Sequence, residues 1–320
     1  MKRRDFLTTA AGALVSGAFA ASATEQVAAD AEADARAAAN LKRNCNPEIM
    51  AKIDAWEGET DLTKSEDYAR YRRDGKTRGL VSLEKVEHAF EKVFREVKET
   101  KVESIPAVWS VYNMGYVVKT PQSVFAIDLV HRRANEFAPI LDFALVTHNH
   151  GDHFHGGLYS RLDGAGKVVI SNFLDNYGVW GRTKKKSGGG YTRAEKEFVL
   201  KDVRIRTSLV DHNSYLIDFT TAFEIRVGEW TLFHTGDCGV STKLRTTWGS
   251  PDLWLFFPMG SIDVADAVRR VRPKRVVFGH LWELGHKTGR LKAPLIKRSL
   301  KAASPFCGDV APAFWGDRII

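Results

Sequence analysis

The segment Thr147-His148-Asn149-His150-Gly151-Asp152-His153 constrains this 320-residue chain more than any other. Three histidines and one aspartate fall within six residues. They follow Ile140–Val146, a short and mostly apolar run of the kind that forms a buried strand. A buried strand that ends in such a cluster needs partners for the imidazoles it carries. Imidazole and carboxylate together suit zinc and similar divalent ions. His148 and His150 stand two residues apart, so an extended backbone points both the same way. Gly151 permits the sharp turn that brings Asp152 and His153 back toward the same point. One loop can thus supply ligands to two adjacent ions. The competing reading is a histidine-rich surface loop, and chance seldom places one at the end of a buried strand.

The rest of the chain divides by texture. Residues 24–45 are Ala-rich with mixed charge and read as a helix or a linker, and 46–80 are polar and charge-dense without a clear period. From Ser82 to about Thr100 the apolar residues Leu83, Val86, Phe90, Val93 and Val97 share one helical face, with Ser82 as the expected N-cap. That face is expected to pack on the main domain. From Ile105 onward β-branched and aromatic residues dominate. Ala107–Lys119 and Ser123–Leu129 read as strand-forming stretches around the turn Thr120-Pro121-Gln122. Further strands are expected at Lys167–Ser171, Val203–Val210, Phe223–Val227, Trp230–His234 and Arg275–Phe278, and a helix at Ile262–Val271 that Pro273 would stop. The strands come in two batches with helices nearby, which predicts two sheets sandwiched by helices. Lys184–Gly190 reads as a basic loop, and it lacks the pattern of a phosphate-binding loop.

The cluster at 148–153 matches the HxHxDH signature of the metallo-β-lactamase superfamily. Three further segments resemble that family's later motifs: Val210-Asp211-His212-Asn213, Phe233-His234-Thr235-Gly236-Asp237, and Val277-Phe278-Gly279-His280, the last preceded by Asp252–Gly260. The resemblance covers about residues 105–290. It implies an α/β fold, a four-layer αβ/βα sandwich with metal ions between the sheet edges, here carrying an N-terminal helical extension. Transferred residue by residue, it implies one ion on His148, His150 and His212. It implies a second on Asp152, His153 and His280, with Asp237 bridging the two. Asp152 would also orient the nucleophile and is the expected catalytic residue. Zinc is the expected metal, with iron or manganese compatible with the same ligands. Of the other histidines, His155 is expected to support the ligands from behind or to line the pocket, and His234 to be structural or to support the ligands. His88 and His131 are expected at the surface or in packing. His286 is a candidate to contact substrate or to protonate a leaving group. Cys238 should face away from the ions.

The chain opens Met1-Lys-Arg-Arg-Asp-Phe-Leu, then a weakly apolar run from Thr8 to Ala20 and the small-residue sites Ala18-Phe-Ala20 and Ala21-Ser-Ala23. This is the layout of a secretory signal. Arg3-Arg4-x-Phe6-Leu7 resembles the twin-arginine motif, which implies a bacterial protein that folds before the twin-arginine machinery exports it to the periplasm. The run is too short for a membrane span, which needs about 20 residues, and no later stretch qualifies. The expected organisation is therefore a signal peptide over 1–23, a helical extension over 24–104 and a hydrolase domain over 105–320.

Formal net charge is +8, of which Lys2, Arg3 and Arg4 against Asp5 supply +2 and leave +6 on the remainder. That balance favours an anionic small-molecule substrate without indicating nucleic acid, and the basic stretch Arg182–Lys186 suits the same substrate. The three cysteines have no metal-type spacing, and Cys45 with Cys307 is the candidate bridge in an oxidising compartment. The expected activity is hydrolysis of a small ester, lactone or phosphodiester, since Ser250–His280 looks more like the lactonase and phosphodiesterase branch. A periplasmic β-lactam hydrolase and a non-catalytic binding protein on the same fold are the alternatives.

Overall fold

A computed structural model describes residues 26, 28–171, 196–286 and 292–320. Among the described residues four helices precede the first strand: α1 over residues 28–44, α2 Pro47–Thr60, α3 Ser65–Asp74 and α4 Val81–Glu99. The stretch from 46 to 80 that shows no clear period thus contains two helices, whose ends are set by local chemistry. Asn46 caps α2 by accepting from the Ile49 amide, and Pro47 occupies the first turn, where no amide proton is needed. The Asp67 carboxylate accepts from the Lys64 amide at the start of α3, and Gly75 ends it in the left-handed region at φ 72°. Helix α4 buries Leu83, Val86, Phe90, Val93 and Val97, the face its spacing predicts. Its N-cap, however, is Leu80. Ser82 lies inside the first turn, fully buried, and its hydroxyl bonds the Thr63 hydroxyl instead of capping.

Two sheets follow. The first has the order β1-β2-β3-β4-β5, formed by Ala107–Tyr112, Gly115–Lys119, Val124–Ile127, Phe143–Leu145 and Val168–Ile170. The stretch 107–119 is a hairpin, because Asn113 turns the chain at φ 56°. Strands β3, β4 and β5 run parallel, and α5 (Gly156–Gly164) crosses from β4 to β5. The second sheet has the order β12-β11-β10-β9-β8-β7-β6. Its strands are β6 Glu197–Leu200, β7 Val203–Val210, β8 Thr220–Val227, β9 Trp230–His234, β10 Leu253–Phe256, β11 Val276–Phe278 and β12 Val310–Pro312. Helices α6 (Val264–Val271) and α7 (Ala293–Ala303) join its parallel strands.

Both sheets contribute to one buried core, to which α2, α3 and α4 add Ile53, Tyr71, Val86 and Phe90. The fold is therefore the mixed α/β, two-sheet sandwich with flanking helices that the sequence predicts. The parallel strands decide where a site can form. Strands β3 and β4 end together, as do β9 and β11, and β7 shares the direction of β9 because each is antiparallel to β8. Ligand sites in open parallel sheets gather at such carboxyl ends. All three cysteines are free thiols, so the candidate Cys45–Cys307 bridge is not formed: Cys45 faces the Ser304 hydroxyl, and Cys307 points to the carbonyls of Lys274 and Asp309. No helix among the described residues is long and apolar enough to cross a membrane. The proposed signal at 1–23 and the basic stretch Arg182–Lys186 lie outside the described residues.

Candidate metal centre

Each of the seven sequence-predicted ligands sits just beyond the carboxyl end of a strand. His148, His150, Asp152 and His153 follow β4, His212 follows β7, Asp237 follows β9 and His280 follows β11. Two glycines make this approach possible. A β-carbon at Gly236, where φ is 49°, would lie 2.8 Å from the Thr147 side chain, and one at Gly279 would lie 2.1 Å from the Tyr116 hydroxyl. His280 itself takes the left-handed region at φ 59°, and its ring stacks on Phe257 at 4.2 Å.

The ligands converge in overlapping groups. Donor atoms of His148, His150, His212 and Asp237 all lie within 4.8 Å of one another, as do those of His153, Asp237 and His280. Asp237 belongs to both groups: its Oδ1 lies 3.2 Å from His153 Nε2, and its Oδ2 lies 3.5 Å from the Nε2 atoms of His212 and His280. Asp152 Oδ2 lies 2.9 Å from His280 Nε2 and 3.5 Å from His153 Nε2. The structure thus brings together both predicted ligand sets with Asp237 between them. It also adds a residue outside those sets, since Asp152, His280 and His286 form a third group of donors within the same reach.

The chemistry of these atoms fits divalent ions. The Nε2 atoms of His148, His153, His212 and His280 and Oδ1 of Asp237 are all buried without a hydrogen bond. Five buried polar atoms gathered around Asp237 without aligned hydrogen bonds would carry a heavy desolvation cost in an ordinary core. Burial holds the His148 pKa well below the usual imidazole range, which favours the neutral ligand form. Burial opposes ionisation of Asp237 and Asp152, yet neighbouring imidazoles outweigh it and hold both carboxyls below their ordinary range.

Behind the ligands stands a carboxylate that spacing does not reveal. Asp128, fully buried after β3, accepts from the Thr147 amide at 2.8 Å and the Thr147 hydroxyl at 2.6 Å. The same carboxylate meets His153 Nδ1 at 2.9 Å and His234 Nε2 at 3.3 Å. It therefore fixes the loop that begins the motif and turns the other nitrogen of His153 toward Asp237. The only sequence signal for it was an acidic residue amid the apolar run Val124–Val130. His234 supports the site through Asp128, as expected. His155 instead caps α5 by accepting from the Leu158 amide. His131 is buried against Phe90 and Tyr71, and Cys238 points away toward the Val240 carbonyl.

His286 lies at the rim, its side chain 48% exposed. Its Nδ1 is 2.9 Å from Glu283 Oε2 and its Nε2 is 3.9 Å from Asp152 Oδ2. Glu283 is buried and also holds the amides of Gly285 and His286.

Fold and site together define a two-sheet α/β protein with a candidate histidine–aspartate metal centre at the carboxyl ends of its strands, the arrangement that the resemblance to the metallo-β-lactamase fold implies. No family profile matches the chain. It is similar to the UPF0173 metal-dependent hydrolase of Heliobacterium modesticaldum, 27% identical over 157 residues, which are 43% of this chain and 65% of that protein. A UPF0173 metal-dependent hydrolase of Pyrococcus horikoshii is 28% identical over 160 residues, 46% of this chain and 69% of the relative. The chain thus spans about two thirds of the length of these curated relatives. Among solved structures it resembles the metallo-β-lactamase fold protein YhfI from Bacillus subtilis at 13% identity and a TM-score of 0.47, over 67% of this chain and 99% of that one.

Proposed function

We propose that this protein is a metal-dependent hydrolase of a small ester, lactone or phosphodiester. The observation that carries the reading is the set of buried donor atoms, four imidazole Nε2 atoms and Asp237 Oδ1, gathered in overlapping groups around Asp237 without aligned hydrogen bonds. His148, His150 and His212 would hold one divalent ion, Asp152, His153 and His280 a second, and Asp237 would serve both. Bound ions of this kind supply Lewis acidity, which makes water nucleophilic near neutral pH.

The chain's own residues do the rest. Asp152 stands at the edge of the centre, where its carboxylate can orient an attacking water. Asn113 steadies it, with Nδ2 3.4 Å from Asp152 Oδ2. His286, held by Glu283 and half exposed beside Asp152, is placed to give a proton to the departing oxygen. The similarity to proteins named metal-dependent hydrolases supports this reading. Elemental analysis of the purified protein, with assays on nitrophenyl esters, lactones, bis-nitrophenyl phosphate and a chromogenic β-lactam, tests it. We expect two ions per chain and turnover that chelators abolish. Less than one ion after loading, with no turnover, would refute it. Zinc is the proposed metal, and the same elemental analysis tests that choice against iron and manganese.

The N-terminal pattern supports export of the folded protein to the periplasm by the twin-arginine route. Replacing Arg3 and Arg4 with lysine should move the protein from the periplasmic to the cytoplasmic fraction. An unchanged distribution would reject the route.

A further inference from the structure

Among the described residues, two cavities adjoin the N-terminal helices. One of about 400 Å³ lies between α2 and the C-terminal segment, lined by Ile49, Lys52 and Phe314 among others, and Asp152 and His286 are not among its walls. A second, of about 290 Å³, has Asp152 and His286 in its wall and so opens onto the proposed reaction centre. Its volume is at the small end of ligand sites, which run from roughly 300 Å³ upward.

Helix α3 contributes Ser65, Tyr68, Ala69 and Arg72 to the lining of this second cavity. These residues precede the metal-binding motifs by some eighty positions, outside the region that resembles the family. Helix α3 is firmly seated there. The Tyr71 hydroxyl donates to Glu87 at 2.5 Å and meets His131 Nε2 at 3.0 Å, while the Tyr68 ring packs on Tyr112 at 5.4 Å. A wall fixed this way can position a ligand without first being ordered.

The charges around the cavity are unevenly matched. Glu283 is engaged by Tyr112 and by the backbone and ring of His286, and Asp152 faces His280. Arg72 is different: among the described residues its guanidinium makes no ion pair and no hydrogen bond. Beside Arg72 and Asp152 the lining includes the aromatic and aliphatic Tyr68, Ala69, Tyr112 and Val130. A partly apolar lining whose carboxylates are already engaged, with one unpaired guanidinium, suits a compact body that ends in a carboxylate or phosphate.

We propose that α3 is the specificity wall of the active site, and that Arg72 binds the anionic end of a small ester whose scissile group lies at Asp152. This rests on the hydrolase reading above. It assigns a substrate-recognition role to the N-terminal helices, which the metal-binding motifs leave without one.

The test compares 4-nitrophenyl hydrogen succinate, which ends in a carboxylate, with 4-nitrophenyl butyrate, which does not. The readout is the ratio of the two kcat/KM values, anionic over neutral. The wild type should favour the anionic ester. Arg72→Gln should lower the ratio roughly 10- to 100-fold, the range for losing one charge-assisted hydrogen bond, chiefly through KM. Arg72→Lys, which keeps the charge but not the planar fork, should restore part of it. Calorimetric titration of the metal-loaded protein with succinate supplies a readout free of turnover. If no ester is turned over but succinate binds and Arg72→Gln weakens it by roughly 10-fold or more, the hydrolase reading fails and the anion site stands. If turnover is normal and the ratio is the same in wild type and Arg72→Gln, the anion site is overturned and the hydrolase reading survives.

Discussion

Asp128→Asn is the substitution that most directly tests how the centre is built. The side chain keeps its shape but exchanges one acceptor oxygen for a donor. Asp128 is fully buried, and its oxygens serve the Thr147 amide, the Thr147 hydroxyl, His153 Nδ1 and His234 Nε2. If the remaining oxygen of the substituted side chain kept the Thr147 amide, the new NH2 group would face His153 Nδ1. Relief then requires that His153 carry its proton on Nε2, the atom aimed at Asp237. If the new side chain turned the other way, its NH2 would face the Thr147 N–H and leave two donors opposed. Either way the motif loop or its third histidine is spoiled. Losing a buried charge that two imidazoles share costs about 3–5 kcal/mol of stability. Disturbing a residue that orients a ligand lowers metal affinity roughly 10- to 100-fold. Urea unfolding and competition with a chromophoric chelator measure the two effects separately. A stability loss with metal affinity unchanged within about twofold would refute the claim that Asp128 sets the His153 tautomer.

His286→Ala should lower kcat/KM on the preferred substrate by roughly 10²- to 10⁴-fold and flatten one limb of the pH–rate profile, the signature of a lost proton donor; unchanged kinetics would remove His286 from the reaction. Gly279→Ala forces a β-carbon onto the Tyr116 hydroxyl 2.1 Å away, so a loss of about 1–3 kcal/mol is expected in urea unfolding, together with weaker metal binding as His280 shifts. His131 predicts a pH effect on stability. Burial lowers its pKa from 6.5 to about 3, so the folded state keeps it neutral where the unfolded chain is protonated. Unfolded chains therefore bind more protons between those values, and stability falls as pH drops below 6.5, by about 2 kcal/mol at pH 5. His131→Gln should remove most of that slope between about pH 7 and 5, and an unaltered slope would assign it to other groups.

Most of the site was legible because its chemistry is local. His148 through His153 lie on one loop, and period-2 spacing plus one glycine suffices to see that they converge. His212, Asp237 and His280 were reached through resemblance, since each is a lone residue after a strand and no spacing rule joins them. Asp128 was not legible, because its role depends on β3 and β4 lying side by side, a pairing of residues nineteen positions apart at the contact with Thr147. Strand β10 shows the same limit. Leu253–Phe256 is apolar throughout, and only its place between β9 and β11 tells a buried parallel strand from a helix segment. Ser82 failed as a cap for a tertiary reason: the Thr63 hydroxyl competes for its side chain.

The N-terminal helices are harder to read because their partners lie at the far end of the chain. Trp56 of α2 packs against Trp282, Phe314 and Trp315, with ring centroids 5.0–5.9 Å apart. Trp282 sits in the left-handed region at φ 57°, two residues beyond the candidate ligand His280 and one before Glu283. The segment that carries His280, Glu283 and His286 is thus clamped between the sheet it leaves and a helix from the other end of the sequence. Burying the side chains of Ile53, Leu83, Val86, Phe90 and Val93 stabilises this union by about 1.5–3 kcal/mol each, comparable in sum with the whole net stability of a typical domain. Helices α2 and α4 therefore share one core with the sheets. Their seating fixes both the rim that holds His286 and the α3 wall that faces it. A candidate site walled by segments distant in sequence forms only once those segments have packed together, which is compatible with the export of a folded protein proposed above.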